Sequence, residues 1–291
     1  MTTKGQKTLV WSSAAALTML LACLALWPRT LTALPRLTPI AIRPEDYQIV
    51  VFIALVVICE IWERFRPARN IDRWADLKID LLSFSLAILM NRFCTRAVKS
   101  MINAVAPATL VGGWHALQLL PGAVKIALSV VVADFVIYWL HRAQHHFDVL
   151  WRTHAWHHSS EHLYWFSGFR TSFLHSFMNN IPQAAVPMLV FGLSPFQAGI
   201  GYAIGVLIQF WEHTNIRVNI GPLKWVFITP DYHRVHHSAT QHCRMNLGGT
   251  FSIWDRLFGT YVDPATMPEA FPIGLGERVD KKKIPRMLLG V

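Results

Sequence analysis

Long apolar segments alternate along the chain with short polar loops that are rich in arginine and histidine. The apolar segments are residues 9–27, 49–62, 77–90 and 123–140. Runs of this kind, about 15 to 20 residues long, approach the length that a helix needs to cross a bilayer. A fifth apolar region, residues 181–211, is interrupted at Gly192-Leu193-Ser194-Pro195 and predicts two helical arms. The pattern therefore predicts an all-α integral membrane protein with four transmembrane helices and a helical hairpin.

Composition agrees with a membrane protein. The chain is 53% hydrophobic and 15% charged, whereas ordinary soluble domains are about 25% charged. Its net charge of +10 is scattered between the apolar segments, which argues against nucleic-acid binding. Four cysteines, Cys23, Cys59, Cys94 and Cys243, form no CxxC pair. Neither a disulfide framework nor a thiolate metal site is therefore supported.

The basic residues also predict an orientation. Lys4 and Lys7 precede the first apolar segment as in a signal peptide, but the segment is long and lacks a small-x-small cleavage site, which favours a retained anchor. Arginines follow the second segment at positions 64, 66, 69 and 73. By the positive-inside rule, that loop and the chain after the fourth segment face the cytoplasm, and the hairpin leaves and returns on the same side.

Histidines are concentrated in three blocks on that predicted side. His141 and His145 are four residues apart at the end of an apolar helix, so they share one face. The other two blocks repeat an HxxHH pattern, as His154-Ala-Trp-His157-His158 and His233-Arg-Val-His236-His237. Eight imidazoles exceed what one tetrahedral ion needs, whereas two octahedral first-row metals could use them. We therefore expect a histidine-rich site for two metal ions that caps the membrane helices.

Other polar residues near these blocks have simpler interpretations. We interpret His115, His146, His162 and His242 as surface or interface histidines. The segment His158-Ser-Ser-Glu161-His162 matches the HxxEH zinc-peptidase pattern, but His158 is better explained by its HxxHH block. Asp134 lies seven residues before His141 on the same helical face. An acid at this depth either orients a metal ligand or extends towards the membrane surface.

Together these motifs resemble the fatty acid hydroxylase and sterol desaturase superfamily of membrane di-iron enzymes. The resemblance covers about residues 80–265. It rests on the three histidine blocks, on His213-Thr-Asn215, on Pro230-Asp-Tyr before the third block and on Trp254-Asp255-Arg256-Leu-Phe-Gly259. Ser172 stands where many bacterial members carry a histidine, and with the preceding His-Ser-Ser-Glu it is closer to the alkylglycerol monooxygenase branch.

The resemblance implies a ligand set for two iron ions. The expected ligands are His141, His145, His154, His157, His158, His213, His233, His236 and His237. It also implies dioxygen as cosubstrate and the hydroxylation or desaturation of a lipid, whether fatty acyl, sterol or ether lipid. No heme-binding cytochrome motif precedes the apolar segments, so we expect electrons from a separate electron-transfer protein.

Further expectations follow from the same resemblance. Asn215, Asn246 and Asp255 match polar positions of the pattern and could orient ligands, and His175 could supply another nitrogen. Leu247 replaces the usual tyrosine of an Asn-Tyr-Gly element, which argues against a tyrosine role there. The expected domains are membrane anchor segments at 1–78, a catalytic domain at 79–265 and a tail at 266–291. The expected location is the bacterial inner membrane or the endoplasmic reticulum, with the catalytic face cytoplasmic.

Two other classes of protein remain open from the residues alone. A metal transporter would need histidines along a path through the membrane, whereas these cluster beyond the ends of the apolar segments. A membrane zinc hydrolase would need a general base beside its metal, and no HExxH motif is present. Metal analysis separates these classes from an oxygenase.

Overall fold

The computed structural model describes residues 44–105 and 113–291, so the predicted first apolar segment lies outside the described residues. Its longer helices are α1 (Pro44–Phe65), α2 (Leu77–Val105), α3 (Gly122–His146), α4 (Asp148–His154), α5 (Phe173–Ala185), α6 (Pro195–His213), α7 (Pro230–His236), α8 (Ile253–Phe258) and α9 (Ile284–Leu289). Within the described ranges the remaining regular structure is short helical turns and three isolated bridges. The prediction of an all-α fold is confirmed.

One helix of the described ranges, α3, is long and apolar enough to cross a membrane by length and composition. It begins directly after Pro121 and ends before Phe147, whose backbone is extended. Proline is well tolerated at a helix start because its missing N–H is not needed there. Helices α1, α2 and α6 overlap the other predicted segments.

The predicted break in the hairpin is present. Helix α5 continues into a π-helical turn at Val186–Val190, and α6 begins at Pro195. Ser194 caps α6, since its hydroxyl accepts from the Gln197 N–H while the Gln197 side chain accepts from the Ser194 N–H. Gly192 adopts a φ of 58°, a left-handed conformation that suits glycine. These features turn the chain back along α3.

Apolar and polar side chains are distributed unlike those of a soluble domain. Large apolar side chains stay exposed along α1, α2 and α3: Val57, Ile58, Ile61, Leu81, Leu82, Ile88, Leu89, Phe93, Val124, Leu128, Val132 and Val136. Buried polar and charged side chains, in contrast, outnumber buried apolar ones in the described ranges. Contiguous apolar surface of this kind contacts a membrane or a partner protein. The helices therefore carry an apolar outer surface and enclose a polar interior.

That polar interior lies where several helix ends converge. Helix α2 packs along α5, and α3 packs against both α4 and α6. The C-terminal ends of α3 and α6, the turn His157–Ser159 and helix α7 bring their histidines into this region.

Candidate metal centre

The nine predicted histidines form two clusters. The first cluster contains His141, His145, His154, His158 and His236, and the second contains His157, His213, His233 and His237. Within each cluster, one ligand nitrogen from every member lies within 4.8 Å of all the others. All nine except His141 are buried. The structure thus brings together every histidine that the sequence assigned to the site.

Each HxxHH motif is divided between the two clusters. In the second block, His154 and His158 enter the first cluster, whereas His157 enters the second. In the third block the division is reversed, because His233 and His237 enter the second cluster and His236 the first. Residues four apart share a helical face, and the residue between them points to the neighbouring face. Each motif therefore contributes to both clusters.

The spacing of the ring nitrogens fits a metal ion in each cluster. Six Nε2–Nε2 pairs, two in the first cluster and four in the second, are 2.9 to 3.2 Å apart. An imidazole nitrogen lies about 2.1 Å from a first-row metal ion, so ligands at right angles are about 3.0 Å apart and tetrahedral ligands about 3.4 Å. The observed spacing matches adjacent positions of an octahedron.

Backbone carbonyls fix the orientation of four of these rings. Nδ1 of His141 is 2.7 Å from the Leu247 carbonyl, and Nδ1 of His236 is 3.1 Å from the Met245 carbonyl. In the second cluster, Nδ1 of His157 and of His213 lie 3.1 and 2.8 Å from the Arg170 and Gln209 carbonyls. A carbonyl only accepts, so these rings carry their proton on Nδ1. The Nε2 lone pairs of His157 and His213, whose Nε2 atoms are 3.2 Å apart, then face one another, and a cation between them satisfies both.

Two further nitrogens of the first cluster support the same conclusion. Nε2 of His145 and Nε2 of His236 are buried, and neither has a hydrogen-bond partner within the described ranges. Buried polar atoms without partners are rare in folded proteins and mark a missing ligand or ion. The donor set is therefore suited to a metal ion and is incomplete without one.

Burial keeps these imidazoles neutral. Six clustered histidines lie outside the long apolar helices, and the pKa of each is well below its usual value. The main cause is desolvation by burial, followed by the charge of neighbouring imidazoles. These residues are His154, His157, His158, His233, His236 and His237. A metal binds the neutral imidazole, so little free energy is needed to remove protons at neutral pH.

A cavity of about 160 Å³ opens onto both clusters. Small and apolar side chains of α3 and α6 form one wall: Val130, Ala133, Ile137, Ala198, Gly201 and Gly205. His141 and His154 of the first cluster and His157 and His233 of the second line its inner end. An apolar group that enters between α3 and α6 therefore reaches the metal ligands directly.

Asn246 and Asp255 act on the ligands through a loop, as the sequence led us to expect of orienting residues. The Asp255 carboxylate accepts from the N–H groups of Leu247 and Gly248 and from the hydroxyls of Tyr232 and Thr260. Asn246 has a φ of 55°, and its amide donates to the Tyr232 and Val262 carbonyls. Together they hold the carbonyls that orient His141 and His236.

Asp134 and Asn215 do not have the roles that the sequence led us to expect. The Asp134 carboxylate accepts from the Trp254 indole N–H at 2.8 Å and from the Phe251 N–H at 3.2 Å, so it neither orients a ligand nor extends to the surface. Asn215 bonds to the backbone of Arg69 and contacts no ligand ring.

His175 lies behind His154 and belongs to neither cluster, with its Nδ1 3.1 Å from the His154 Nδ1. The four histidines that we interpreted as surface or interface residues also belong to neither cluster.

Gly168 lies directly against His213, a contact that no motif in the sequence indicated. A Cβ at this position would be 2.8 Å from Cγ and 2.9 Å from Nδ1 of His213. The ring has little freedom to move away, because its Nδ1 is bonded to the Gln209 carbonyl. Only glycine allows the turn Trp165–Phe169 to pack directly on this histidine.

We expect Gly168→Ala to displace His213 and weaken metal binding at the second cluster by at least about tenfold, as loss of a ligand-orienting contact does. Metal content after dialysis against a graded chelator measures this effect. Gly199→Ala on α6 is the matched control, because its added Cβ meets nothing within 4 Å. Wild-type metal retention in Gly168→Ala would contradict this account of the packing.

Comparison with known proteins agrees with this site. Residues 126–260 match the family model described as fatty acid hydroxylase. This part of the chain is therefore similar to fatty acid hydroxylase domains, in agreement with the resemblance of the histidine motifs. The match includes all nine clustered histidines.

Curated relatives are named as lipid-modifying enzymes. Alkylglycerol monooxygenase of Xenopus tropicalis is 39% identical over 139 residues, which is 46% of this chain and 30% of the relative. The human enzyme of the same name is 36% identical over 129 residues, or 44% of this chain and 28% of the relative. Ornithine lipid hydroxylase OlsE of Rhizobium tropici is 29% identical over 267 residues, 88% of this chain and 80% of the relative.

The chain thus spans less than a third of the length of these two alkylglycerol monooxygenases. No solved structure matches the chain significantly.

Proposed function

We propose that this protein is a membrane-bound di-iron oxygenase that hydroxylates an unactivated C–H position of a lipid, with dioxygen and external electrons. The observation that carries the proposal is the pair of all-histidine clusters with Nε2 atoms 2.9 to 3.2 Å apart, beside a cavity that has an apolar wall of α3 and α6 side chains. Iron held there would supply the redox chemistry with dioxygen that no side chain can provide. The nine clustered histidines are the proposed ligands.

The chain's own residues have three tasks in this reaction. The clusters supply five and four nitrogens, which leaves coordination positions that protein nitrogen does not fill around two octahedral ions. The carbonyls of Leu247, Met245, Arg170 and Gln209 hold the rings in one orientation. The walls of the cavity exclude water and direct one part of the substrate towards the clusters.

The proposed substrate is a lipid that reaches the cavity from the bilayer. The exposed apolar faces of α1, α2 and α3 support membrane contact by these helices. The proposed topology is four transmembrane helices and a hairpin, with the metal centre on the cytoplasmic side. The names of the relatives, a monooxygenase and a hydroxylase, favour hydroxylation over desaturation. We assign this activity to the domain at residues 79–265 and expect electrons from a separate protein.

Metal analysis and lipid mass spectrometry test the proposal together. We expect about two iron ions per purified chain, and a lipid that gains one oxygen atom in cells that express the protein. A lipid that loses two hydrogens would instead assign desaturation. One zinc ion per chain with hydrolytic activity, or metal flux through liposomes, would overturn the proposal in favour of the two classes considered above.

A further inference from the structure

Glu212 is a buried acid at the end of α6 with no role in the proposed reaction as described above. It lies next to His213 in the chain and is only 7% exposed. Within the described ranges its ion-pair contacts are both imidazoles, because no lysine or arginine nitrogen lies within 4.0 Å of it. A buried carboxylate is costly unless it is paired, and here the available partners are metal-ligand rings.

The two carboxylate oxygens face two ligands of the second cluster. Oε1 is 3.6 Å from Nδ1 of His213, and Oε2 is 3.6 Å from Nδ1 of His233. The His213 N–H already donates to the Gln209 carbonyl, whereas Nδ1 of His233 has no hydrogen-bond partner in the described part of the chain. Oε2 of Glu212 also lacks a partner there. Two buried polar atoms without hydrogen-bond partners, an acid oxygen and a ring nitrogen, therefore lie 3.6 Å apart.

Glu212 stands behind the rings and not among the ligand atoms. Within the described residues, the two clusters contain histidines alone. The Nε2 atoms of His213 and His233 are 3.1 Å apart in the second cluster, on the opposite side of each ring from Nδ1. An outer carboxylate of this kind fixes the orientation of a ligand ring and makes it a stronger donor.

We propose that Glu212 is a positioning residue that orients His233, and secondarily His213, for the ion of the second cluster. The proposal rests on the proposed metal centre. Backbone carbonyls orient two rings in each cluster: His141 and His236 in the first, and His157 and His213 in the second. His233 is instead oriented by an acid, so metal affinity at the second cluster depends on the residue at position 212.

Glu212→Gln is the sharpest test, because it preserves size and replaces one of the two accepting oxygens by an amide N–H. That N–H would face a ring N–H of His233 or His213, and two donors cannot bond to each other. We expect the affinity of one of two sites to fall 10- to 100-fold, while the other site is unchanged.

The experiment titrates Co²⁺ into the purified, metal-stripped full chain in detergent and follows the visible absorption of each site against a competing chelator. Glu269→Gln is the control, since it makes the same chemical change at an exposed acid that pairs with Arg217 and belongs to neither cluster. It should retain both wild-type affinities. The proposal would be overturned if Glu212→Gln left the Co²⁺ affinity of both sites unchanged, or lowered it equally at both.

Glu212→Asp provides a second variant if the glutamine protein does not accumulate. It retains both acceptors on a shorter side chain, so we expect a smaller loss that is again confined to one site. A loss spread over both sites would overturn the proposal here too. A wild-type chain that binds no Co²⁺ or iron would refute the proposed function itself, which keeps the two failures distinguishable.

Discussion

Replacing one histidine from either cluster is expected to abolish lipid oxidation. His157→Ala removes one of four nitrogens from the second cluster, and His236→Ala removes one of five from the first. Loss of an outer partner of a ligand already costs 10- to 100-fold, so we expect product formation to fall by more than about 100-fold in each variant. Product lipid per purified chain, with iron content beside it, measures the effect.

His146→Ala is the control for these variants. His146 is exposed and follows the ligand His145 directly on α3, yet it belongs to neither cluster. It should retain wild-type iron and product. Full activity in both His157→Ala and His236→Ala would refute the assignment of these residues as ligands, whereas inactivity of all three variants would indicate a general loss of folding.

The largest expected effect on stability comes from Asp80→Asn. The Arg170 guanidinium is buried, with its Nε 2.6 Å from the Asp80 carboxylate, which also accepts from the Tyr164 hydroxyl at 2.8 Å. Arg170 would keep its ion pair with Asp76 at 3.0 Å but lose its contact with the fully buried Asp80 carboxylate, and removal of one partner of a buried ion pair costs up to about 3 kcal/mol. The melting temperature of the detergent-solubilised protein should fall markedly.

The same substitution should also weaken metal binding, because the Arg170 carbonyl orients His157. Glu269→Gln is the control: its partner is Arg217, and both side chains are largely exposed. Exposed pairs contribute less than about 1 kcal/mol, so this variant should melt as wild type does. Equal melting temperatures for the two variants would show that the Arg170 pair does not stabilise the fold.

The sequence could predict the helices, the break in the hairpin and eight of the nine clustered histidines from local spacing. His213 followed only from the resemblance of its His-Thr-Asn element to the family pattern. Apolar runs give helices, Gly192 and Pro195 break them, and residues four apart share a face. The division of each HxxHH motif between two clusters did not follow from spacing alone. It depends on how the turn His157–Ser159 and helix α7 meet in space.

Contacts between distant parts of the chain were also beyond sequence reasoning. Arg170 and Asp80 are separated by 90 residues, and Gly168 meets His213 across a turn and two helices. Glu212 could not be predicted because an acid next to a histidine in the sequence is common. Only the structure shows that its two oxygens lie near Nδ1 of His213 and Nδ1 of His233. For Asp134 the helical register suggested a contact with a metal ligand, but its carboxylate instead accepts a hydrogen bond from the Trp254 indole N–H.

The polar interior has a consequence for how much of this protein a cell can maintain. Its centre consists of closely spaced imidazole nitrogens, and a bound cation would stabilise this arrangement. Metal-binding free energy then becomes folding free energy. Under the proposed function, iron supply would set the abundance of the folded protein as well as its activity, and less folded chain would accumulate during iron starvation.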